Sequence, residues 1–170
     1  GPKGPFILLS RSHYGFVKRL LEIEVPELND GTIMLYSVAR DAGSRTKIAV
    51  YTEYNNVDPI GAVIGEKGRR ISAVLKELGG EKIDVILYDK DPVKFIANAL
   101  SPAKDVKVTI KDENKKEALA LANDSNLSLA IGKKGQNVKL ASRLTHYKIE
   151  VKSESAQEEN KEEISSVEEE

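Results

Sequence analysis

The chain has 170 residues, 40% of them hydrophobic and 31% charged, a composition that suits a soluble globular protein built as one ordinary domain or two small ones. It has no cysteine and only two isolated histidines, His13 and His146, which excludes disulfides and thiolate metal sites and leaves no basis for a histidine metal centre. The net charge of −1 divides unevenly: residues 153–170 carry eight acidic side chains and one lysine, while the rest holds 25 Lys/Arg against 19 Asp/Glu, a surplus that fits a polyanionic partner without requiring one.

In chain order, Phe6 to Arg11 reads as a short buried strand with no partner nearby. Ser12 is a candidate N-cap for an amphipathic helix carrying Tyr14, Val17, Leu20 and Leu21 and ending before Pro26. Thr32 to Ala39 and Thr46 to Thr52 are strand-like, joined by a turn at residues 41–44. Asp58-Pro59 supplies a cap and a first helical residue for a short helix to Ile64, which runs into Gly65-Glu66-Lys67-Gly68. The next helix has Ile71, Val74, Leu75 and Leu78 on one face and Gly79 to stop it, and Ile83, Val85 and Leu87 alternate as a closing strand.

The same order then recurs. Asp91-Pro92 opens a helix with Val93, Ile96, Ala97 and Leu100 at helical spacing. Strands are expected over Val106 to Ile110 and Glu117 to Ala122, then a short helix to Ile131 capped by Ser125. Gly132-Lys133-Lys134-Gly135 follows, with a helix through Val138, Ala141 and Leu144 and a last strand from Tyr147 to Val151. The offset between copies is 79 at the first helix, 67 at the glycine loops and 66 at the last strand, so the copies are expected to keep their elements and differ in loops. Residues 12–89 and 90–152 are therefore two α-β-β-α-α-β domains of the α/β (α+β) class. Residues 153–170 are an acidic tail too poor in apolar side chains to order itself.

A bare G-x-x-G is weak evidence, and the one at Gly1 to Gly4 sits in no helical frame. The other two share Ile-Gly-x-x-Gly-x-x-Ile/Val, as Ile64 to Ile71 and Ile131 to Val138. Glycines without Cβ atoms let a sugar-phosphate backbone come close, and the amides opening the next helix can donate to phosphate oxygens. Lys67, Arg69 and Arg70 in the first copy, and Lys133 and Lys134 in the second, add counter-charge, whereas Glu66 opposes it. Gln136 and Asn137 carry amides able to address base edges or ribose hydroxyls, or simply to cap their helix. Ile60, Ile64, Ile71 and Val85, with Leu127, Ile131, Val138 and Val151, are candidates for an apolar groove beside each loop, and most of them must also be core. No aromatic residue falls in either loop, so aliphatic contact and edge hydrogen bonds are expected in place of a stacking platform.

The loop within a βααβ core resembles the KH domain, whose loop clamps single-stranded RNA by its backbone. The extra helix and strand preceding each core are similar to the type II arrangement. Residues 57–65, the stretch Glu77-Leu78-Gly79-Gly80-Glu81-Lys82-Ile83-Asp84 and residues 128–137 resemble the NusA family of bacterial transcription elongation and termination factors. By this resemblance residues 1–11 are the end of an S1-like domain, and the chain is a tandem KH fragment serving pausing, termination and antitermination. The resemblance implies single-stranded nascent RNA as partner, RNA polymerase as partner of the longer protein, a monomer, and no cofactor. RNA would be held by Ile64, Gly65, Glu66, Lys67, Gly68, Arg69 and Arg70 in the first copy. In the second, Ile131, Gly132, Lys133, Lys134, Gly135, Gln136 and Asn137 would hold it. The short connection from Tyr88 to Pro92 leads us to expect two domains packed as one unit, with both loops on one strand.

An enzyme using these loops for nucleotide phosphate would need Lys-Ser or Lys-Thr after the final glycine, and neither loop has it. A protein-binding KH-like scaffold is the competing reading, marked by RNA affinity no better than nonspecific. No apolar run nears the roughly 20 residues that span a bilayer, and no secretory signal opens the chain, so a cytoplasmic protein is expected.

Overall fold

The computed structural model describes residues 14–155. The expected Phe6 to Arg11 strand, the Ser12 cap and the acidic segment from residue 156 lie outside them. The chain divides into two compact units between Asp89 and Lys90, each with its own three-stranded sheet.

In the first unit, α1 (Tyr14–Glu24) places Val17 and Leu21 inward at i and i+4. As expected the helix stops before Pro26, but Pro26 also begins a short helix, α2 (Pro26–Asp30), that the sequence pattern does not announce. Proline is pre-set for the first position of a helix, and Gly31 ends this one in the left-handed conformation at φ 83°. Strands β1 (Met34–Asp41) and β2 (Arg45–Tyr51) form an antiparallel hairpin, and β2 pairs in parallel with β3 (Lys82–Leu87). A parallel pair needs a crossover, supplied by α3 (Pro59–Ile64) and α4 (Arg69–Leu78). Asp58 caps α3 by accepting from the Gly61 amide, and Gly79 stops α4, both as the sequence implied. Val17, Leu21, Val25, Ile33, Ile48, Val50, Val63 and Val74 make the core between helices and sheet.

Charged residues are enclosed beside that core. Glu81 accepts from Arg40 (Nη2, 3.0 Å), the Gly43 amide (2.8 Å) and Thr46 Oγ1 (2.7 Å). Lys47, with no solvent exposure, donates to Asp84 at 2.9 Å, and Arg45 donates to the same carboxylate at 2.7 Å. Burial pushes both carboxyls up, but hydrogen bonds from Arg40 and Thr46 to Glu81, and from Arg45 with the charge of Lys47 to Asp84, outweigh it. Both are held below the ordinary value.

The second unit repeats the plan. Asp91 caps α5 (Pro92–Ala99), as expected, although Phe95 and Ala99 are buried with Ile96 and Leu100 where the spacing pointed to Val93 and Ala97. Strands β4 (Lys107–Asp112), β5 (Glu117–Ala122) and β6 (Lys148–Ser153) pair antiparallel and then parallel in that order. The crossover is α6 (Asp124–Ile131) and α7 (Gln136–Thr145). The cap of α6 is Asn123, not Ser125: Asn123 is extended and accepts from the Asn126 amide, while Ser125 lies inside the helix and donates to Asn123 at 2.7 Å. β6 runs through Ser153, and Ser153 and Ser155 both bond Asp124, so the residues expected to start a disordered tail belong to this unit.

Candidate nucleic-acid interface

Each glycine loop joins the two crossover helices of its unit through one turn of 3-10 helix, Glu66–Gly68 in the first and Lys133–Gly135 in the second. The backbones match within a few degrees. Gly65 and Gly132 have φ/ψ of 77/170° and 78/169°, a region essentially confined to glycine. Lys67 and Lys134 are left-handed at 54/25° and 56/25°, and Gly68 and Gly135 follow at 72/17° and 73/14°. The same left-handed and glycine-only residues recur in the same order, with lysine kept at the left-handed position and Glu66 replaced by Lys133 beside it. The turn between the two glycines therefore keeps its backbone when a carboxylate is exchanged for a cation at its first variable position.

Within each turn three amides are used internally. Gly65, Gly68 and Arg69 donate to the Gly61, Gly65 and Glu66 carbonyls, and Gly132, Gly135 and Gln136 donate to those of Ser128, Gly132 and Lys133. The amides between them, of Glu66 and Lys67 and of Lys133 and Lys134, take no part in these bonds. They lie just ahead of α4 and α7, where the helix dipole favours an anion. All four side chains at these positions are exposed. The second loop thus presents two cations, and the first presents a cation beside a carboxylate.

The first glycine of each loop is also the point of closest packing. A Cβ on Gly65 would lie 2.7 Å from Arg70 Cγ, and one on Gly132 would lie 2.7 Å from the Asn137 backbone nitrogen. Arg70 and Asn137 occupy the same place, five residues on. Neither side chain simply faces solvent. Arg70 Nη1 donates to the Ala62 carbonyl at 2.9 Å and to Glu27 Oε2 at 2.7 Å. Asn137 is 1% exposed, and its Nδ2 donates to the Ala130 and Leu100 carbonyls, both at 3.0 Å. A base-reading or capping role for the Asn137 amide does not fit this placement, because its donors are spent inside the fold.

Of the apolar candidates, Ile60, Ile71 and Val85 pack on the first core, and Leu127 and Val151 on a small cluster of Ala103, Ala122 and Ala130 in the second. Ile64 keeps 36% exposure next to its loop. Ile131 and Val138 are half-buried or deeper. The most exposed apolar side chain on the second crossover is Leu129, at 47%, which is absent from the apolar candidates drawn from sequence. Its signal was present: with Leu127 and Ala130 inward, helical spacing turns Leu129 away from the core. An open cleft of about 460 Å³ beside the first loop is lined by Glu27, Gly61, Ala62, Gly65, Glu66, Arg69 and Arg70. Among the described residues no cluster of His, Asp or Glu has the makings of a metal site, and no helix is long and apolar enough to cross a membrane.

Comparison with known proteins assigns a family to each unit. Residues 11–88 match the NusA-like first KH domain, and residues 92–159 the NusA-like second KH domain. The transcription termination/antitermination protein NusA of Halalkalibacterium halodurans is 54% identical over 153 residues, covering 90% of this chain and 40% of the relative. Its namesake in Bacillus subtilis is 54% identical over 152 residues, 89% of this chain and 41% of the relative. That of Thermus thermophilus is 51% identical over 147 residues, 86% and 38%. The chain therefore spans about two fifths of the length of the curated relatives it matches. The crystal structure of APE1850 shares the fold, with a TM-score of 0.56, 22% identity, and coverage of 79% of this chain and 96% of that one.

Proposed function

The chain belongs to the NusA-like tandem KH family, and from that premise we propose that it is a binding module for single-stranded nascent RNA within a bacterial transcription termination and antitermination factor. RNA polymerase is then the partner of the longer protein, and the fragment acts as a cytoplasmic monomer without catalysis of its own. One observation carries the RNA reading: two turns that differ in charge at one position share one backbone conformation, each with a pair of amides outside the turn's internal hydrogen bonds and just ahead of a helix. The family relationship supports the same assignment, because KH loops clamp RNA by its backbone.

In this reading Gly65, Lys67, Gly68 and Arg69 hold the strand in the first unit, and Gly132, Lys133, Lys134, Gly135 and Gln136 in the second. Ile64 and Ile131, with Leu129, supply apolar contact to bases beside the loops. Glu66 weakens the first grip. Each loop contributes to RNA affinity, so disabling either lowers the affinity of the chain.

The test is titration of a short unstructured oligoribonucleotide at several salt concentrations. Removing one phosphate-binding cation should flatten the slope of log K against log salt by about 0.7. Changing Lys133 and Lys134 to Asp should cost more affinity than changing Glu66 and Lys67 to Asp, since the former removes two cations. If the oligonucleotide leaves the amide resonances of residues 65–68 and 132–135 unmoved, the RNA assignment fails.

A further inference from the structure

Arg70 looks like a phosphate ligand in the sequence, and the geometry points elsewhere. We propose that Arg70 with Glu27, and Asn137 with the Leu100 carbonyl, are positioning residues: each pair ties the start of an RNA-binding loop to the helical stretch that precedes its unit's sheet, and so sets the loop's presentation. The inference rests on the RNA reading above and deepens it, by separating residues that touch the strand from residues that hold the turn.

Three observations carry it. Arg70 and Asn137 stand at the same position of the repeat, against the Cα of the first loop glycine. Each donates backward to a carbonyl of the short helix before its loop, Ala62 and Ala130, so it bridges the loop from behind. Each also donates to the helical stretch ahead of its unit's sheet, Arg70 to Glu27 in the first turn of α2 and Asn137 to Leu100 at the C-cap of α5, so the two units differ in chemistry while both make a connection. In the second unit the carbonyl of Leu100, at the C-terminal end of α5, stands there, and a short buried carboxamide reaches it. The first unit has the extra helix α2, which brings Glu27, and a longer guanidinium reaches its carboxylate at 2.7 Å. Two different solutions at one position argue for the link itself. A side chain kept for phosphate would be cationic in both copies, and Asn137 carries no charge.

The first unit lets the idea be tested on partly exposed residues, Arg70 at 32% and Glu27 at 30% side-chain exposure, where substitution does not threaten the core. The full chain is titrated with the same oligoribonucleotide across salt, as wild type, Arg70→Met, Glu27→Ala and the charge-neutral double variant, with folding checked by amide spectra. We expect Arg70→Met to weaken binding about fivefold with the salt slope unchanged. Glu27→Ala should also weaken it, and the double variant should be no worse than Arg70→Met. A slope flattened by about 0.7 in Arg70→Met would make Arg70 a phosphate ligand and overturn the proposal. Tighter binding by Glu27→Ala would do the same, by showing that Glu27 only competes with RNA for the guanidinium. So would a lower melting temperature with unchanged affinity, which marks a purely structural role. Failure of the RNA reading has a different signature: wild type that does not bind, or Lys67→Ala and Lys134→Ala that leave both affinity and slope intact, removes the function and this inference together.

Discussion

The first unit lines its central strand with Ile48 and Val50 and shuts Lys47 and Glu81 away from water, whereas the second lines the matching strand with Ala118, Ala120 and Ala122. Ala122 there packs in a small cluster with Ala103 and Ala130, and the ion pairs found among the described residues of that unit sit on side chains that are 30–77% exposed. Two cores of different material thus carry loops with the same backbone. What has been kept between the copies is the turn and its attachment, and what has been free to change is the means of stabilising the scaffold.

The sharpest way to break this comparison is at Glu81. Replacing it with Ala takes away the carboxylate to which Arg40 donates, and loss of one member of a buried pair costs about 3–5 kcal/mol. Hydrogen exchange should show that loss on amides of β1 to β3 and spare those of β4 to β6. A loss shared equally would mean that the two cores are not independent in this respect.

The glycines come next. Gly65→Ala and Gly132→Ala each force alanine into a glycine-only region, at about 1–3 kcal/mol. The added methyl meets a flexible arginine side chain in the first case and a backbone nitrogen in the second. Gly132→Ala should therefore lower the melting temperature more, and equal shifts would contradict the packing described.

Acid should separate the units too. Glu81 and Asp84 have folded values below their unfolded ones, so their stabilisation is present above the unfolded carboxylate range, near pH ~4, and is lost as pH falls through the folded values. The carboxyl shifted in the second unit, Glu150, is exposed on the surface. Amide spectra recorded down the acid range should lose first-unit peaks first. The smallest effect is expected at Glu66: Glu66→Lys should tighten RNA about two- to fivefold and steepen the salt dependence, bringing the first loop level with the second.

Much of this was readable from local chemistry. Asp58 and Asp91 each stand before a proline and cap a helix, and the twin glycine frames fell where the crossover helices meet, because caps and tight turns are decided by neighbours in sequence. What was not readable depends on distant partners. Pro26 signalled the end of one helix and concealed the start of another. The burial of Lys47, Glu81 and Asp84 has no local signal because the partners that enclose them lie far along the chain, as Thr46 does from Glu81 and Lys47 from Asp84. Arg70 and Asn137 read as RNA contacts because nothing in the local spacing says that Glu27 and Leu100 come to meet them. The Tyr36, Tyr51 and Tyr88 rings, with Tyr36 stacked on Tyr88 at 3.9 Å, likewise assemble from separate stretches and left no trace in any single one.

Lys67 and Lys134 occupy a left-handed backbone that a side chain with a Cβ tolerates at roughly 1–2 kcal/mol, and that glycine enters freely. Directed evolution that rewarded thermostability alone would drift toward glycine or asparagine at both positions, discarding one cation from each loop. On the RNA reading proposed above, lysine at both positions trades backbone stability for attraction to a phosphate chain.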